Sequence, residues 1–303
     1  MLHSRLLRYL DEVARCGSIR KAADRLNVAS SAVNRQILAL EEQLGQPIFD
    51  RLPRKLRLTA TGEILIEHVR ATLKDHARVS ARLDALRGLQ HGRVSLATTP
   101  GLAAGPMVAI VSDFIARHPR VRVGLRALST EAIPPAVLAG DAGLGLGFNM
   151  TPIAGLRSLM TLEIPFGAVV APGHPLTGAE RVRLANAMQY PLVLAEPGMS
   201  LRGIVDMAMA RLAEQAQPIV ETNSIELMKQ LVRGGSAVTF LNPLDVADDC
   251  TKGELVFLGL AEPQLRPQVL RLVARSGGAL EPTTARFAEE LRGSLIKLAE
   301  AIG

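Results

Sequence analysis

The chain has 303 residues, 48% hydrophobic and 21% charged, a composition that sustains a large core in two or three domains and excludes disordered and fibrous classes. Its longest apolar runs, such as residues 192–195 and 237–241, fall far short of the roughly 20 residues a membrane span needs, so no membrane partner is expected. The net charge of +6 is concentrated in the first third, where residues 1–90 hold 16 Lys+Arg against 10 Asp+Glu while residues 91–303 hold 19 of each. Basic charge gathered in one segment suits phosphate neutralisation, whereas a merely solvated surface would spread it.

At the N-terminus, MLHSRLLRYLDEVARCG interleaves charges with its apolar residues, lacks the continuous hydrophobic centre of a secretory signal, and leads to an expected cytoplasmic location. Residues 18–44 then read as two short helices hinged at Asn27-Val28. Ser18 can cap the first, Ala22 and Ala23 allow a close crossing, and Leu26 and Val28 can close the corner. In the second, Val33, Ile37, Leu40 and Leu44 recur at helical spacing and form the buried stripe, which turns Ser30, Ser31, Asn34 and Arg35 outward. Any amphipathic helix pair shares this spacing. The adjoining charge excess turns the reading towards duplex DNA, with the outward residues sized for a major groove.

Gln46-Pro47 interrupts the helical pattern, and Ile48-Phe49 and Leu56-Arg57-Leu58 flank a turn containing Pro53. This predicts a two-stranded wing whose Arg51, Arg54, Lys55 and Arg57 lie along phosphates or enter a minor groove; an ordinary solvated hairpin has the same pattern. Thr59 is placed to cap a long helix over 61–88 with Ile66, Val69, Leu73, Ala77, Leu83 and Leu86 near one stripe. A helix this long exceeds what a small domain buries and predicts pairing with a second copy, as two DNA half-sites at a fixed separation require.

Residues 88–92 read as a hinge. Beyond it, strand-like runs at 93–98, 121–125, 144–148, 166–171, 192–195, 237–241 and 269–274 alternate with helices at 107–118, 133–139, 201–214, 224–233 and 283–300. The alternation predicts an α/β fold with mainly parallel sheets, long enough for two lobes with a cleft between them. Cys16 and Cys250 lie far apart and show no ligand spacing, and His68 and His76 have no carboxylate partner between them at ligand spacing, so no metal and no cofactor is expected. With no Trp and two Tyr, the chain has little with which to stack single-stranded bases. No nucleophile with base and orienter can be assembled, so no catalytic residues and no enzyme activity are expected.

Taken in register, Ser18-Ile19-Arg20-Lys21-Ala22-Ala23-Asp24-Arg25-Leu26, Ala32-Val33-Asn34-Arg35-Gln36-Ile37, Leu40-Glu41-Glu42-Gln43-Leu44-Gly45, Pro47-Ile48-Phe49-Asp50-Arg51 and Leu58-Thr59-Ala60-Thr61-Gly62 resemble the winged helix and linker start of LysR-type transcriptional regulators. His118-Pro119-Arg120-Val121, Gly173-His174-Pro175-Leu176 and Leu231-Val232-Arg233-Gly234-Gly235 resemble that family's effector domain, so the likeness spans the chain. It implies a winged helix-turn-helix over 1–60, a linker and dimerisation helix over 61–90, and a two-lobed α/β effector domain of the type 2 periplasmic-binding-protein kind over 91–303. Lobe 1 is expected at about 91–163 and 268–303, and lobe 2 at about 164–267. It also implies a homodimer or homotetramer on a dyad-symmetric site of double-stranded DNA, answering a small organic effector, with an organic acid among the candidates.

On this basis the DNA-binding set is Ser18, Arg20, Lys21, Ser30, Ser31, Asn34, Arg35, Arg51, Arg54 and Lys55. Effector residues are expected at strand ends and helix starts, where backbone N–H groups favour anions: Thr98, Thr99, Gly101, Ser129, Thr130, Asn149, Ser200, Arg202, Thr222, Asn223 and Ser224. Arg202 suits a carboxylate bidentately. The chain departs from the family in four places. Ala29-Ser30 replaces a Ser or Thr followed by Gln, leaving Ser30 as the available cap. Asn34 replaces a common Ser and can bond adenine bidentately. The segment Gly143-Leu144-Gly145-Leu146-Gly147 lacks the usual Asp and is no dinucleotide fingerprint. Ala127-Leu128 stands where a Gly often precedes the second cleft segment. The alternative is a small-molecule receptor whose basic head binds DNA without sequence specificity, and an enzyme using the cleft ranks last because no catalytic constellation can be assembled.

Overall fold

The computed structural model describes residues 5–52, 55–86, 92–179, 181–211, 217–262 and 265–302, which divide into two compact units, residues 1–89 and 90–303. In the first unit, α1 (Arg5–Cys16), α2 (Ile19–Leu26) and α3 (Ser30–Leu44) precede a hairpin of β1 (Phe49–Leu52) and β2 (Lys55–Leu58), and α4 (Ala60–Leu86) follows. Tyr9, Leu10, Val13, Ala22, Ala23, Val33, Ile37, Ile48, Phe49, Ile66 and Val69 form one buried core. The Ser18 hydroxyl accepts from the Lys21 N–H at 3.4 Å, and Asn27 takes the left-handed conformation that turns the chain between α2 and α3. Two expectations shift. Leu44 is 44% exposed, because α3 outruns the core it packs on. Ala29, not Ser30, occupies the N-cap position of α3 and supplies no side-chain bond.

The wing is antiparallel, with Phe49 opposite Leu58 and Leu52 opposite Lys55. Pro53 and Arg54 lie outside the described residues, as do the side chains of Arg51 and Lys55. The Thr59 hydroxyl caps α4, accepting from the Gly62 N–H at 3.0 Å while donating to the carbonyls of Pro47 and Ile48. Ile66 and Val69 are buried and Leu73 packs beside them. The Ala77, Leu83 and Leu86 side chains, and hinge residues 88–91, lie outside the described residues.

The second unit holds two large cores and a smaller one of Ala97, Ile133, Val137, Ala142, Met150 and Val273. The first surrounds a five-stranded sheet formed by β3 (Arg93–Thr98), β4 (Arg122–Ala127), β5 (Leu144–Phe148), β6 (Leu156–Ile164) and, returning late in the chain, Gln268–Arg275. The second is built on β7 (Gly167–Val170), β8 (Arg181–Val182), β9 (Leu192–Ala195), β10 (Pro218–Thr222), β11 (Thr239–Leu241) and β12 (Val256–Leu260), which makes the returning strand β13. Strand order is β4-β3-β5-β13-β6 in one sheet and β11-β7-β12-β8 in the other, with β9 and β10 forming a parallel pair bridged to Val238. Both larger sheets are mixed rather than mainly parallel. β13 runs antiparallel to β5 and β6 because the chain comes back to the first sheet from the second lobe after β12, and β7 runs antiparallel to its neighbours β11 and β12.

The helices of this unit are α5 (Pro100–Ala104), α6 (Pro106–Arg117), α7 (Ile133–Leu138), α8 (Leu184–Ala187), α9 (Ser200–Arg211), α10 (Ile225–Arg233), α11 (Pro243–Thr251) and α12 (Pro282–Ile302). The expected continuation of α9 over 212–214 lies outside the described residues. α11 was not anticipated from sequence and belongs to neither lobe alone: Leu244 is buried in the first core and Val246 in the second. Among the described residues no helix is long and apolar enough to cross a membrane.

Candidate functional site

In the first unit, burial of Val33 and Ile37 orients α3. Ser30, Ser31 and Arg35 are exposed, Asn34 is half-buried on the same side, and Arg20 and Lys21 at the start of α2 are exposed. Ser18 is half-buried and serves as the α2 cap. Glu41, to which the sequence reading gave no role of its own, joins this helix to the wing: its Oε1 accepts from the N–H groups of Ile48 at 2.8 Å and Phe49 at 3.1 Å. Asp11, largely buried, receives Arg15 of its own helix and Arg70 of α4, tying the long helix to α1. The unit thus presents a small polar helix face on a frame fixed by charge-assisted bonds.

In the second unit a cavity of about 470 Å³ lies between the two lobes. Its wall includes Thr99, Pro100 and Gly101 at the end of β3, Leu128 to Glu131 after β4, and Phe148 at the end of β5. Gly198 to Leu201, Asn223 to Ile225, Asn242, Asp245 and Gln268 complete it. Each group sits where a strand ends or a helix begins, the places where backbone polar groups are left for a ligand. Seven of the effector residues expected from sequence are brought together here: Thr99, Gly101, Ser129, Thr130, Ser200, Asn223 and Ser224.

The other four do different work. Thr98 is wholly buried behind the wall. Asn149, in the left-handed conformation at the end of β5, accepts from the Val269 N–H through Oδ1 at 2.9 Å and pins the crossover. Thr222 accepts from the Ser224 N–H at 3.1 Å. Arg202 does not face the cavity: its side chain, 13% exposed, donates to Asp206 at 2.7 Å, to Glu221 at 2.5 Å and to the Ala195 carbonyl at 2.9 Å, stapling α9 to β9 and β10. Two carboxylates already occupy its fork, so it is not available to an acidic ligand.

Asn242, Asp245 and Gln268 were missed. The signal was available: Asn242-Pro243-Leu244-Asp245 after an apolar run has a capping residue, Pro at the first helical position and an acid two residues later. The Asn242 Oδ1 accepts from the Asp245 N–H at 3.1 Å, and its Nδ2 donates to Asp245 Oδ2 at 2.5 Å and to Gln268 Oε1 at 3.1 Å. Asp245 is 6% exposed. Burial raises its carboxyl to about 7, partly offset by the charge of Lys229 and by the Asn242 bonds.

This shift sets a pH dependence. Between about pH 4 and 7 the folded state holds a proton that the unfolded chain has lost, so folding stability falls as pH rises through that window and levels off above it. Asp245→Asn removes the titration while keeping an acceptor for Asn242. Urea unfolding of both proteins at pH 5 and pH 8 should show the variant gaining on the parent at pH 8, by an amount on the order of 2–4 kcal/mol.

Comparison with known proteins agrees with both units. The family model described as bacterial regulatory helix-turn-helix protein, lysR family, matches residues 4–63, and that of the LysR substrate binding domain matches residues 87–295. The chain is 33% identical to the SDS degradation transcriptional activation protein of a Pseudomonas species over 303 residues, covering 96% of this chain and 95% of that one. It is 24% identical to the transcriptional activator protein LysR of Escherichia coli, covering 96% and 92%. Among solved structures, full-length CbnR complexed with its target DNA superposes with a TM-score of 0.68 at 21% identity, covering 96% of this chain and 99% of that one. A full-length OxyR variant from Pseudomonas aeruginosa gives 0.71 at 18% identity, covering 99% and 98%. With the capped helix pair and wing in one unit and the interlobe cavity in the other, the chain belongs to the LysR family of transcriptional regulators, carrying a DNA-binding helix-turn-helix and an effector-binding domain.

Proposed function

We propose that the protein acts in the cytoplasm as a homodimer or homotetramer on a dyad-symmetric promoter site, without catalysis, and that a small organic effector in the interlobe cavity governs its action on DNA. The observation that carries this reading is the α3 surface, where Ser30, Ser31 and Arg35 are exposed beside half-buried Asn34 in the unit that holds the chain's positive charge. In this reading Asn34, with the two serines, reads base edges. Arg35, Arg20, Lys21 and the wing residues Arg51, Arg54 and Lys55 hold phosphates. Pairing of α4 between copies sets the half-site separation. Effector binding changes how the lobes close, and so the spacing of the heads or the bend of the DNA. Identical footprints and bends with and without saturating effector would sink that last step.

Phosphate binding and base reading separate cleanly by salt. Arg51→Ala or Arg54→Ala is expected to weaken binding to all duplexes alike and to reduce the slope of log affinity against log salt by about 1 for each phosphate no longer neutralised. Fluorescence anisotropy across a salt series checks this; an unchanged slope would show that the wing arginines neutralise no phosphate.

A further inference from the structure

We infer that the interlobe cavity takes an uncharged amphipathic ligand, a hydroxyl or carboxamide head on an apolar body, with the head at Asp245 and Gln268, and not an organic acid. This rests on the reading of the cavity as the effector site and deepens it. No Lys, Arg or His is among the described residues that line the cavity, whereas two carboxyl groups, Glu131 and Asp245, are. The two cations that follow lining residues in α9 and α10 are spent elsewhere. Arg202 is held by Asp206 and Glu221, and Lys229 is paired with Glu226 at 2.8 Å and Asp249 at 3.0 Å. A buried carboxylate beside these acids would lose its hydration and meet no cationic side chain, only the N–H groups at the starts of α9 and α10.

The floor has a definite donor and acceptor pattern. Because the Asn242 Oδ1 takes the Asp245 N–H, its Nδ2 must face outward to Asp245 and Gln268, which fixes Gln268 with Oε1 towards Asn242. The Gln268 Nε2 is then a donor without a partner among the described residues, on a side chain 1% exposed. Asp245 gives Oδ2 to Asn242, while its Oδ1 lies beside Gly101, where an added Cβ would come within 2.9 Å of it. Where Asp245 is ionised, above about pH 7, an acceptor for Gln268 and a donor for Asp245 are both supplied by one hydroxyl or one primary amide; a carboxylate supplies no donor and an ammonium no acceptor. Phe148, Met199, Leu201 and Ile225 offer the apolar wall for the rest.

The test is calorimetric titration of the full-length protein at pH 8, where Asp245 is ionised, with three probes sharing one tail: 1-octanol, octanoate and octylammonium. The expected result is saturable binding of 1-octanol at a concentration at least about tenfold below either ion, with that preference shrinking to about twofold or less in Gln268→Leu. Ser129→Trp, which puts bulk on the exposed rim, should abolish it. Octanoate or octylammonium binding as tightly as 1-octanol, and lost in Ser129→Trp, would overturn the uncharged head while keeping the cavity as the ligand site. Binding of all three that is indifferent to Ser129→Trp, or no saturable binding of any, would overturn the cavity reading and this inference with it. The head-group order is read on the unmodified protein, so it stands even if Gln268→Leu fails to fold.

Discussion

Replacing Gly62 by Ala is expected to cost the winged-helix unit about 3 kcal/mol and to weaken binding to every duplex by about tenfold or more. Gly62 lies in the first turn of α4, where an added Cβ would stand 2.1 Å from the Ile48 carbonyl oxygen and 3.1 Å from the Leu58 side chain. The same carbonyl receives the Thr59 N–H at 3.1 Å and the Thr59 hydroxyl at 3.2 Å, and the neighbouring N–H groups of Ile48 and Phe49 are held by Glu41. Backbone cannot yield there without releasing the base of the wing from both α3 and α4. The loss is therefore expected in urea unfolding and, independently of sequence, in anisotropy with DNA. A variant with unchanged stability would show that this close approach relaxes at little cost and that the wing is not fixed by it.

The second large effect concerns sequence discrimination. Asn34→Ala is expected to relax base preference at one position of each half-site, worth roughly 1–3 kcal/mol between the preferred base and its competitors, while leaving binding to non-specific duplex and its salt slope nearly unchanged. Asn34 shares the outward side of α3 with Ser30, Ser31 and Arg35. A bidentate amide reads adenine, and alanine in its place keeps the helix while removing the pattern. Competition against duplexes altered one base pair at a time measures it directly. Uniform weakening across all positions would instead make Asn34 a backbone or packing residue.

The DNA-binding unit was legible because each of its devices is local. Ser18 caps the helix it precedes, Ala22 and Ala23 lie at the crossing, and Thr59 lies three residues from the amide it accepts from. Glu41 and Gly62 escaped because their partners, Ile48 and Phe49, are brought to them only by the fold. In the effector domain the runs missed as strands were β6, β8, β10 and β12, of which β12, VFLGL, is an inner strand with no exposed residue. β6, LRSLMTLEI, lies on a sheet edge and buries only Met160 and Ile164, β8 has two residues, and β10 is a short pair of β9. Strand direction was misjudged for a different reason: composition does not encode which lobe the chain has just left. Arg202 shows the limit for side chains. Its Asp206 partner at i+4 was visible in sequence, but Glu221 reaches it only through the pairing of β9 with β10, and that second carboxylate decides its role. Asp245, at the junction of both lobes, depends on α11 packing into two cores at once.

The most direct measurement of the central claim is selection of bound sequences from random duplex DNA by the full-length protein at near-physiological salt. The account predicts enrichment of a two-fold symmetric site whose half-sites are separated by about one helical turn or a multiple of it, with one position per half-site losing its preference in Asn34→Ala. Salt-sensitive binding with no enriched sequence would contradict it, leaving the basic unit as a non-specific anchor for a small-molecule receptor.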